Sequence, residues 1–297
     1  MDWMKKTAVV ASVVLVSGVL IHAVTTDRPT EGSVITGNYF PTEIDFAGEA
    51  APLKVADVHE RLDKELLINA NLHASTQLII KRANRAFPVI EPILKQYGVP
   101  DDFKYLAVIE SGLVNVVSPA GARGVWQFMP DTGKERGLEI NDIVDERYHL
   151  EKSTEAACKY LLAAKAKFGS WTLAAASYNG GFGGVNKQLT FQGQDNYYDL
   201  LLTEETSRYV FRILALKEIM KNPAKYNFVI PTADLYPVIP TTKVEVTSSI
   251  PDLSVFAKEQ GVNYKILKIH NPWLRDRKLD VGAGKKYVLE VPVKGYY

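Results

Sequence analysis

The feature that most constrains the fold is a run of helical patterns from Val55 to Lys221, separated by turns that contain glycine. Apolar residues recur there every three or four positions, the spacing of one helix face. A first helical stretch is predicted to restart at Pro88 and to stop at Gly98. Further helices are predicted over about Pro100 to Ile109, Pro130 to Arg136, Leu150 to Phe168, Trp171 to Tyr178 and Thr203 to Lys221. Residues 55–225 are therefore predicted to form a mainly α domain.

The sequence changes in character at Tyr226. Prolines combine with β-forming residues over 226–241, which predicts a linker and a domain boundary. Residues 242–297 then predict a small α+β module in the order strand, helix, helix, strand. These elements are placed at 243–247, 252–260, 264–269 and 287–293.

The N-terminus has the composition of an export signal. Lys5 and Lys6 precede an almost uninterrupted apolar run from Ala8 to Val24, so residues 1–26 are predicted to be a signal peptide or an N-terminal membrane anchor. Cleavage and anchoring both stay open, and either places the chain outside the cytoplasm, in the periplasm or cell envelope. Residues 27–54 lack a sustained period and are predicted to be an extended tether.

Charge and metal-ligand content exclude several function classes. Lys plus Arg number 35 against 34 acids, a net charge of +1, so no basic field favours nucleic acid as a partner. The lone Cys158 cannot form an internal disulfide and is expected to pack as a small apolar residue. The five histidines show no metal-ligand spacing, so neither a metal nor a cofactor is expected.

Glu110 is the leading candidate for chemistry. It follows Phe103, Leu106 and Ala107 on one face of a predicted helix and precedes a glycine-rich turn. A carboxyl on such an apolar stripe loses hydration, which raises its pKa, as a general acid near neutral pH requires. The alternative is a helix-end carboxylate pointing into water.

Five motifs surround and follow Glu110 in a fixed order. They are Glu110-Ser111, Ser118-Pro-Ala-Gly-Ala-Arg-Gly124, Gln127-Phe-Met-Pro130, Tyr178-Asn179-Gly-Gly and Glu205-Thr206-Ser-Arg-Tyr209-Val210. Together they resemble the soluble-lytic-transglycosylase-like (Slt-type) peptidoglycan enzymes, most closely their membrane-bound lytic transglycosylase D-like branch. The resemblance covers a motif core over 87–223, and an ordered set is far more specific than any one motif. It implies a lysozyme-like helical fold.

The resemblance also implies a substrate and a set of site residues. The substrate would be the glycan strands of peptidoglycan, with Glu110 as the single catalytic acid/base. Ser111 is expected to contact substrate, and Met129 to line the groove. Four further residues carry amide or phenol groups, which can recognise the N-acetyl and hydroxyl groups of a sugar or can hold Glu110. They are Gln127, Tyr178, Asn179 and Tyr209.

The expected reaction needs one carboxyl only. Glu110 would protonate the oxygen of the MurNAc-GlcNAc β-1,4 bond and then accept a proton from the muramyl C6 hydroxyl, whose attack gives a 1,6-anhydroMurNAc end. Asp131 and Glu135 are interpreted as helix-start and surface charges. Two alternatives stay open: a goose-type-lysozyme-like hydrolase, which uses an additional acid and water, and a non-catalytic cell-wall-binding protein. Endo and exo action are equally compatible with the sequence.

The C-terminal module resembles the LysM glycan-binding module over Leu253 to Leu274, where a helix, a glycine turn, a second helix and Asn-Pro recur. The opening Gly-Asp-Thr-Leu of that module is replaced by Ile250-Pro-Asp-Leu253. Glycan binding and a purely structural role both stay open for this LysM-like module.

Overall fold

The computed structural model describes residues 39–293 and 295. Within them the chain forms ten α-helices: α1 Ala56–Asn71, α2 His73–Tyr97, α3 Lys104–Ser111, α4 Pro130–Glu135, α5 Leu150–Phe168, α6 Trp171–Gly180, α7 Phe182–Gln192, α8 Glu204–Lys221, α9 Leu253–Glu259 and α10 Tyr264–His270. The strands are β1 Asp45–Phe46, β2 Glu49–Ala50, β3 Val116–Val117, β4 Arg123–Gly124, β5 Thr241–Val246 and β6 Tyr287–Pro292. They pair as three antiparallel two-stranded sheets, β1 with β2, β3 with β4 and β5 with β6.

Helix α8 is the centre of the helical region. Almost every side chain from Tyr209 to Ile219 is buried on it, and it packs against α1, α3 and α6. Helix α5 packs against α2 and α6, and its Cys158 is buried among apolar side chains. Since α8 is surrounded, its polar groups must find partners on other helices.

Helix α2 differs from the sequence-based prediction. A restart is predicted at Pro88, yet the helix continues from His73 to Tyr97 with Pro88 and Pro92 inside it. Each proline removes a backbone hydrogen bond and costs stability. The buried face of α2 offsets that cost, and its members are Thr76, Ala83, Ala86, Ile90 and Leu94.

The predicted tether over 27–54 also differs from the structure at residues 40–54. There β1 and β2 form a hairpin, and the side chains of Ile44 and Phe46 are buried in the main core. Glu49 accepts hydrogen bonds from the backbone N–H groups of Trp171 (2.6 Å) and Thr172 (2.8 Å) at the start of α6. The segment has no sustained period in its sequence, which therefore gave no sign of these long-range contacts with the helical core.

The LysM-like module has a hydrophobic cluster of its own, formed by β5, β6, α9 and α10. Val144 and Tyr148, which precede α5, belong to this cluster. The backbone N–H of Asp145 donates to the carbonyl of Trp273 (2.9 Å), and the N–H of Arg275 donates to that of Ile143 (2.7 Å). The described residues from Phe40 onward accordingly group as one compact unit.

The module elements lie close to their predicted positions, and the side chain of Asp252 caps α9. The predicted limits of the domains and of the linker over 226–241 stay predictions. The predicted signal or anchor over 1–26 lies outside the described residues. Within the part of the chain that the structure describes, no helix is long and apolar enough to cross a membrane.

Candidate active site

Glu110 lies in the last turn of α3. The helix ends at Gly112, whose φ of 60° places it in the left-handed region. Two arginines satisfy carbonyls at this end: Arg212 donates to the carbonyl of Ile109 (2.9 Å), and Arg82 donates to that of Gly112 (3.2 Å). These contacts fix the end of α3, and with it the carboxyl, relative to α8 and α2.

Burial controls the charge of Glu110. Loss of hydration raises the pKa of this carboxyl from 4.5 to about 7, although the Tyr209 hydrogen bond and the Arg212 charge act in the opposite direction. The negative charge of Glu205 raises it further. At neutral pH a large fraction of Glu110 therefore carries a proton, which is the form that a general acid needs.

Tyr209 holds the carboxyl directly. Its phenol, buried on α8, donates a hydrogen bond to Oε1 of Glu110. Burial and the neighbouring Glu110 charge raise the pKa of Tyr209 well above its usual 10, so the phenol keeps its proton. Because Oε1 accepts this bond, Oε2 is the oxygen left for proton transfer.

Tyr178 lies on the same side of the site. Its phenol donates to the carbonyl of Trp126 (2.8 Å), and its pKa is raised well above 10 by burial and by the Glu110 charge. Trp126 itself is fully buried and donates through Nε1 to the hydroxyl of Thr154 (2.8 Å). Tyr178 thus joins α6 to the turn that follows Glu110.

The side chains of Ser111 and Gln127 donate hydrogen bonds to backbone carbonyls of that turn. The hydroxyl of Ser111 donates to the carbonyl of Val125 (2.8 Å). Nε2 of Gln127 donates to the carbonyls of Gly124 (2.7 Å) and Val116 (3.1 Å), while its backbone adopts a φ of 51°. Both side chains therefore shape the turn, and the Ser111 hydroxyl oxygen can still accept a bond.

Asn179 and Met129 complete the predicted set. The amide of Asn179 donates to Glu205 (3.1 Å) and accepts from Thr206 (2.7 Å), which joins α6 to the start of α8. Met129 is 43% exposed beside the turn, so its thioether lies open to solvent. The structure brings Tyr209 into direct contact with Glu110. The side chains of Ser111, Gln127, Tyr178 and Asn179 instead bind other protein groups around the site.

Two groups that matter here were missed by the sequence analysis. Arg212 lies three residues after Tyr209 on α8, and that spacing puts both on one face, a signal that was available. The buried pair Asp145 and Arg147 lies beneath the turn, where Arg147 donates to the carbonyls of Phe128 (3.2 Å) and Gly121 (3.3 Å). No spacing rule connects that pair to the motifs, because the contact is tertiary.

Comparisons with known proteins match two regions of the chain. Residues 88–200 match the family model of the transglycosylase SLT domain, and residues 242–295 match that of the soluble lytic transglycosylase C-terminal LysM-like domain. The chain is 30% identical over 258 residues to membrane-bound lytic murein transglycosylase D of Escherichia coli strain K12 and to the protein of that name in E. coli O6:H1 strain CFT073. The matched region covers 84% of this chain and 55% of each relative, so the chain spans about half the length of these relatives.

The predicted fold class, a mainly α protein with a lysozyme-like helical domain and a small α+β module, is confirmed. The recognition from the five motifs is confirmed as well. The chain therefore contains a region that matches the transglycosylase SLT domain, followed by a region that matches the LysM-like domain of soluble lytic transglycosylases.

Proposed function

We propose that this protein is a peptidoglycan lytic transglycosylase that cleaves the MurNAc-GlcNAc β-1,4 bond without water and leaves 1,6-anhydroMurNAc ends. The observation that carries the proposal is the half-buried carboxyl of Glu110, whose loss of hydration raises its pKa to about 7, and one oxygen of which accepts a hydrogen bond from Tyr209. The SLT domain match and the printed names of the relatives support the same activity.

In the first step, protonated Glu110 donates through Oε2 to the glycosidic oxygen as the bond to the anomeric carbon breaks. In the second step, the resulting carboxylate accepts the proton of the muramyl C6 hydroxyl, whose oxygen attacks the anomeric carbon. The nucleophile belongs to the substrate, so the step has the advantage of an intramolecular reaction. Tyr209 stays protonated and steadies the carboxylate between the two transfers.

The remaining predicted residues have supporting roles in this proposal. Ser111 and Gln127 shape the turn along which the glycan lies, and the Ser111 oxygen accepts a bond from substrate. Tyr178 holds that turn against α6, Asn179 fixes Glu205 near the acid, and Met129 lines the groove with its exposed thioether. None of these steps calls for a metal or a cofactor.

The cell envelope is the proposed location. The composition of residues 1–26 supports export, and the relatives are named as membrane-bound proteins. Peptidoglycan glycan strands are the proposed partner, with anchoring through the N-terminus as part of the same proposal.

Digestion of purified sacculi followed by mass spectrometry of the muropeptides tests the activity. We expect the unmodified chain to release muropeptides with 1,6-anhydromuramyl ends. Glu110→Gln should release them at least about a thousandfold more slowly, because the amide cannot donate an acidic proton. Hydrated reducing ends would instead identify a goose-type-lysozyme-like hydrolase. Equal turnover by both proteins would refute catalysis at Glu110.

A further inference from the structure

A cavity lies between α2, the segment that follows Glu110 and the LysM-like module. Its volume is about 320 Å³, which is within the usual range for small-ligand sites. Side chains from all three parts line it, including Arg82, Arg85, Leu113, Val125, Trp273 and Glu290. A ligand held there would contact both the helical region and the module.

The cavity begins next to the candidate active site. Leu113 is three residues beyond Glu110, and the carbonyl of Val125 accepts the hydroxyl of Ser111. Asn115, which also lines the cavity, donates to the carbonyl of Tyr148 (3.3 Å) at the base of the module. Residues that follow Glu110 and support its turn therefore also line this cavity.

Two arginines give the cavity an unmatched positive wall. Arg82 and Arg85 lie about one turn apart on α2, and neither is within ion-pair distance of a carboxylate in the described part of the chain. Glu151 and Glu290 line another side, where Glu151 pairs with Lys243 (3.4 Å). An arginine fork without a carboxylate partner is suited to bind one from a ligand.

The large aromatic rings of the cavity are already covered. The ring of Trp273 stacks against those of His149 (centroids 5.8 Å apart) and Tyr287 (5.6 Å), and the residue is only 3% exposed. The guanidinium of Arg275 lies 4.2 Å from the centroid of the Tyr148 ring. Neither ring offers a free face for a sugar to stack on, so the lining favours a charged peptide over another sugar unit.

We propose that this cavity binds the short peptide that muramic acid carries in peptidoglycan, with Arg85 and Arg82 holding a carboxylate of that peptide. The inference rests on the proposed function for its substrate. Arg82 already donates to the carbonyl of Gly112 through Nη1, which leaves its other N–H groups for the ligand. Arg85 is exposed, and its guanidinium carbon lies 5.8 Å from the centroid of the Tyr236 ring, so its fork is accessible.

A binding comparison tests the site directly. The full chain carrying Glu110→Gln is titrated by calorimetry with a GlcNAc-MurNAc disaccharide that bears a tetrapeptide and with the same disaccharide without peptide. We expect the peptide to improve Kd about tenfold or more, the effect of one charged hydrogen-bonded contact. Adding Arg85→Gln should remove most of that difference, and Arg85→Lys should restore part of it.

The matched control is Lys95→Gln, which removes one positive charge from the same helix about 15 Å further along its axis. That variant should keep the full preference for the peptide-bearing ligand. Equal Kd values for the two disaccharides would overturn the proposal, and so would an equal loss of preference in Lys95→Gln and Arg85→Gln.

Turnover separates this inference from the proposed function. In the chain that retains Glu110, Arg85→Gln should raise KM for peptide-bearing glycan strands about tenfold more than KM for strands stripped of peptide by an amidase. If the chain cuts neither kind of strand, the proposed function fails while the binding comparison still decides on the cavity. A KM change of the same size for both strands would show that Arg85 does not act on the peptide.

Discussion

Glu110 combines a functional requirement with an electrostatic cost. The apolar surroundings that keep the carboxyl protonated near pH 7 also remove it from water, and Tyr209 offsets part of that loss with one hydrogen bond. Arg212 and Glu205 act on the same carboxyl in opposite directions. The pKa of Glu110 therefore depends on two opposite charges, each of which can be removed by a single substitution.

Removing either charge should shift the pH dependence of activity. Glu205→Gln removes a negative charge, lowers the pKa of Glu110 and should move the basic limb of kcat/KM to lower pH, because the acid loses its proton sooner. Arg212→Met should move that limb to higher pH. The measurement is the rate of anhydromuropeptide release between about pH 5 and pH 9.

The Glu205→Gln substitution preserves an acceptor for the amide of Asn179, so geometry is matched while charge changes. Thr190→Ser, at an exposed position of α7, serves as a neutral control. A shift of the basic limb in the same direction in Glu205→Gln and in Arg212→Met would contradict the electrostatic account.

The placement of Glu110 was predictable from the helical spacing, whereas its partner Tyr209 was predictable only from the motif resemblance. The apolar spacing of α3 alone puts Glu110 beside Leu106 and Ala107. Tyr209 is 99 positions away, and only the packing of α8 against α3 brings its phenol to Oε1. Motif resemblance supplied Tyr209, but it did not supply the Arg212 contact with Ile109.

At the scale of elements, the turn from Asn115 to Phe128 depends on a close backbone approach. Gly124 has a φ of 84°, and a Cβ there would lie 1.8 Å from the carbonyl oxygen of Arg147. Arg147 in turn donates to the carbonyls of Gly121 and Phe128. The turn beside Glu110 thus packs against the backbone of Arg147 and also accepts hydrogen bonds from its side chain.

Gly124→Ala should therefore be strongly destabilising. Gly121→Ala is the matched control, since Gly121 has a φ of 92° but open space where the methyl group would go. We expect Gly124→Ala to lower the free energy of unfolding by about 2 kcal/mol more than Gly121→Ala, because only the former adds overpacking to backbone strain. Urea denaturation followed by circular dichroism measures the difference, and equal losses would show that the approach is not rigid.

Local rules located most helices and failed where tertiary packing prevailed. Ser170, a residue type favoured at helix starts, accepts a hydrogen bond from the backbone N–H of Leu173 and caps α6. Pro88, by contrast, is a helix-start signal that α2 overrides, because the apolar face on both sides of the proline is buried in one continuous core. The hairpin over 45–50 was missed for the same reason, since Glu49 finds its partners more than a hundred positions away.

At the scale of the whole molecule, the helical region and the LysM-like module share buried side chains. Val144 and Tyr148 come from one and pack into the hydrophobic cluster of the other. Glu139 also accepts bonds from Lys285 (2.8 Å) and Tyr287 (3.0 Å) of the module. Sequence indicated a boundary near Tyr226, but periodicity carries no information on such docking.

Shared burial predicts joint unfolding. Differential scanning calorimetry of the full chain should give one transition for the helical region and the module. Tyr148→Ala should lower the stability of that single unit by about 3 kcal/mol, the usual loss for a large buried ring. Leu201→Ala, at an 81% exposed position, is the control and should change little. Two separated transitions in the unmodified chain would contradict the prediction.

The raised pKa of Glu110 links proton binding to folding. In the unfolded chain this carboxyl would ionise near 4.5, whereas in the folded chain it ionises near 7. The folded state therefore holds the proton more tightly, and this group favours folding below pH 4.5 but progressively less between there and about pH 7. The difference amounts to about 3 kcal/mol. Chemical denaturation of Glu110→Gln beside the unmodified chain should show the substituted chain gaining relative stability as the medium turns alkaline, so the carboxyl proposed to act as catalyst opposes folding more strongly at each step of rising pH up to about 7.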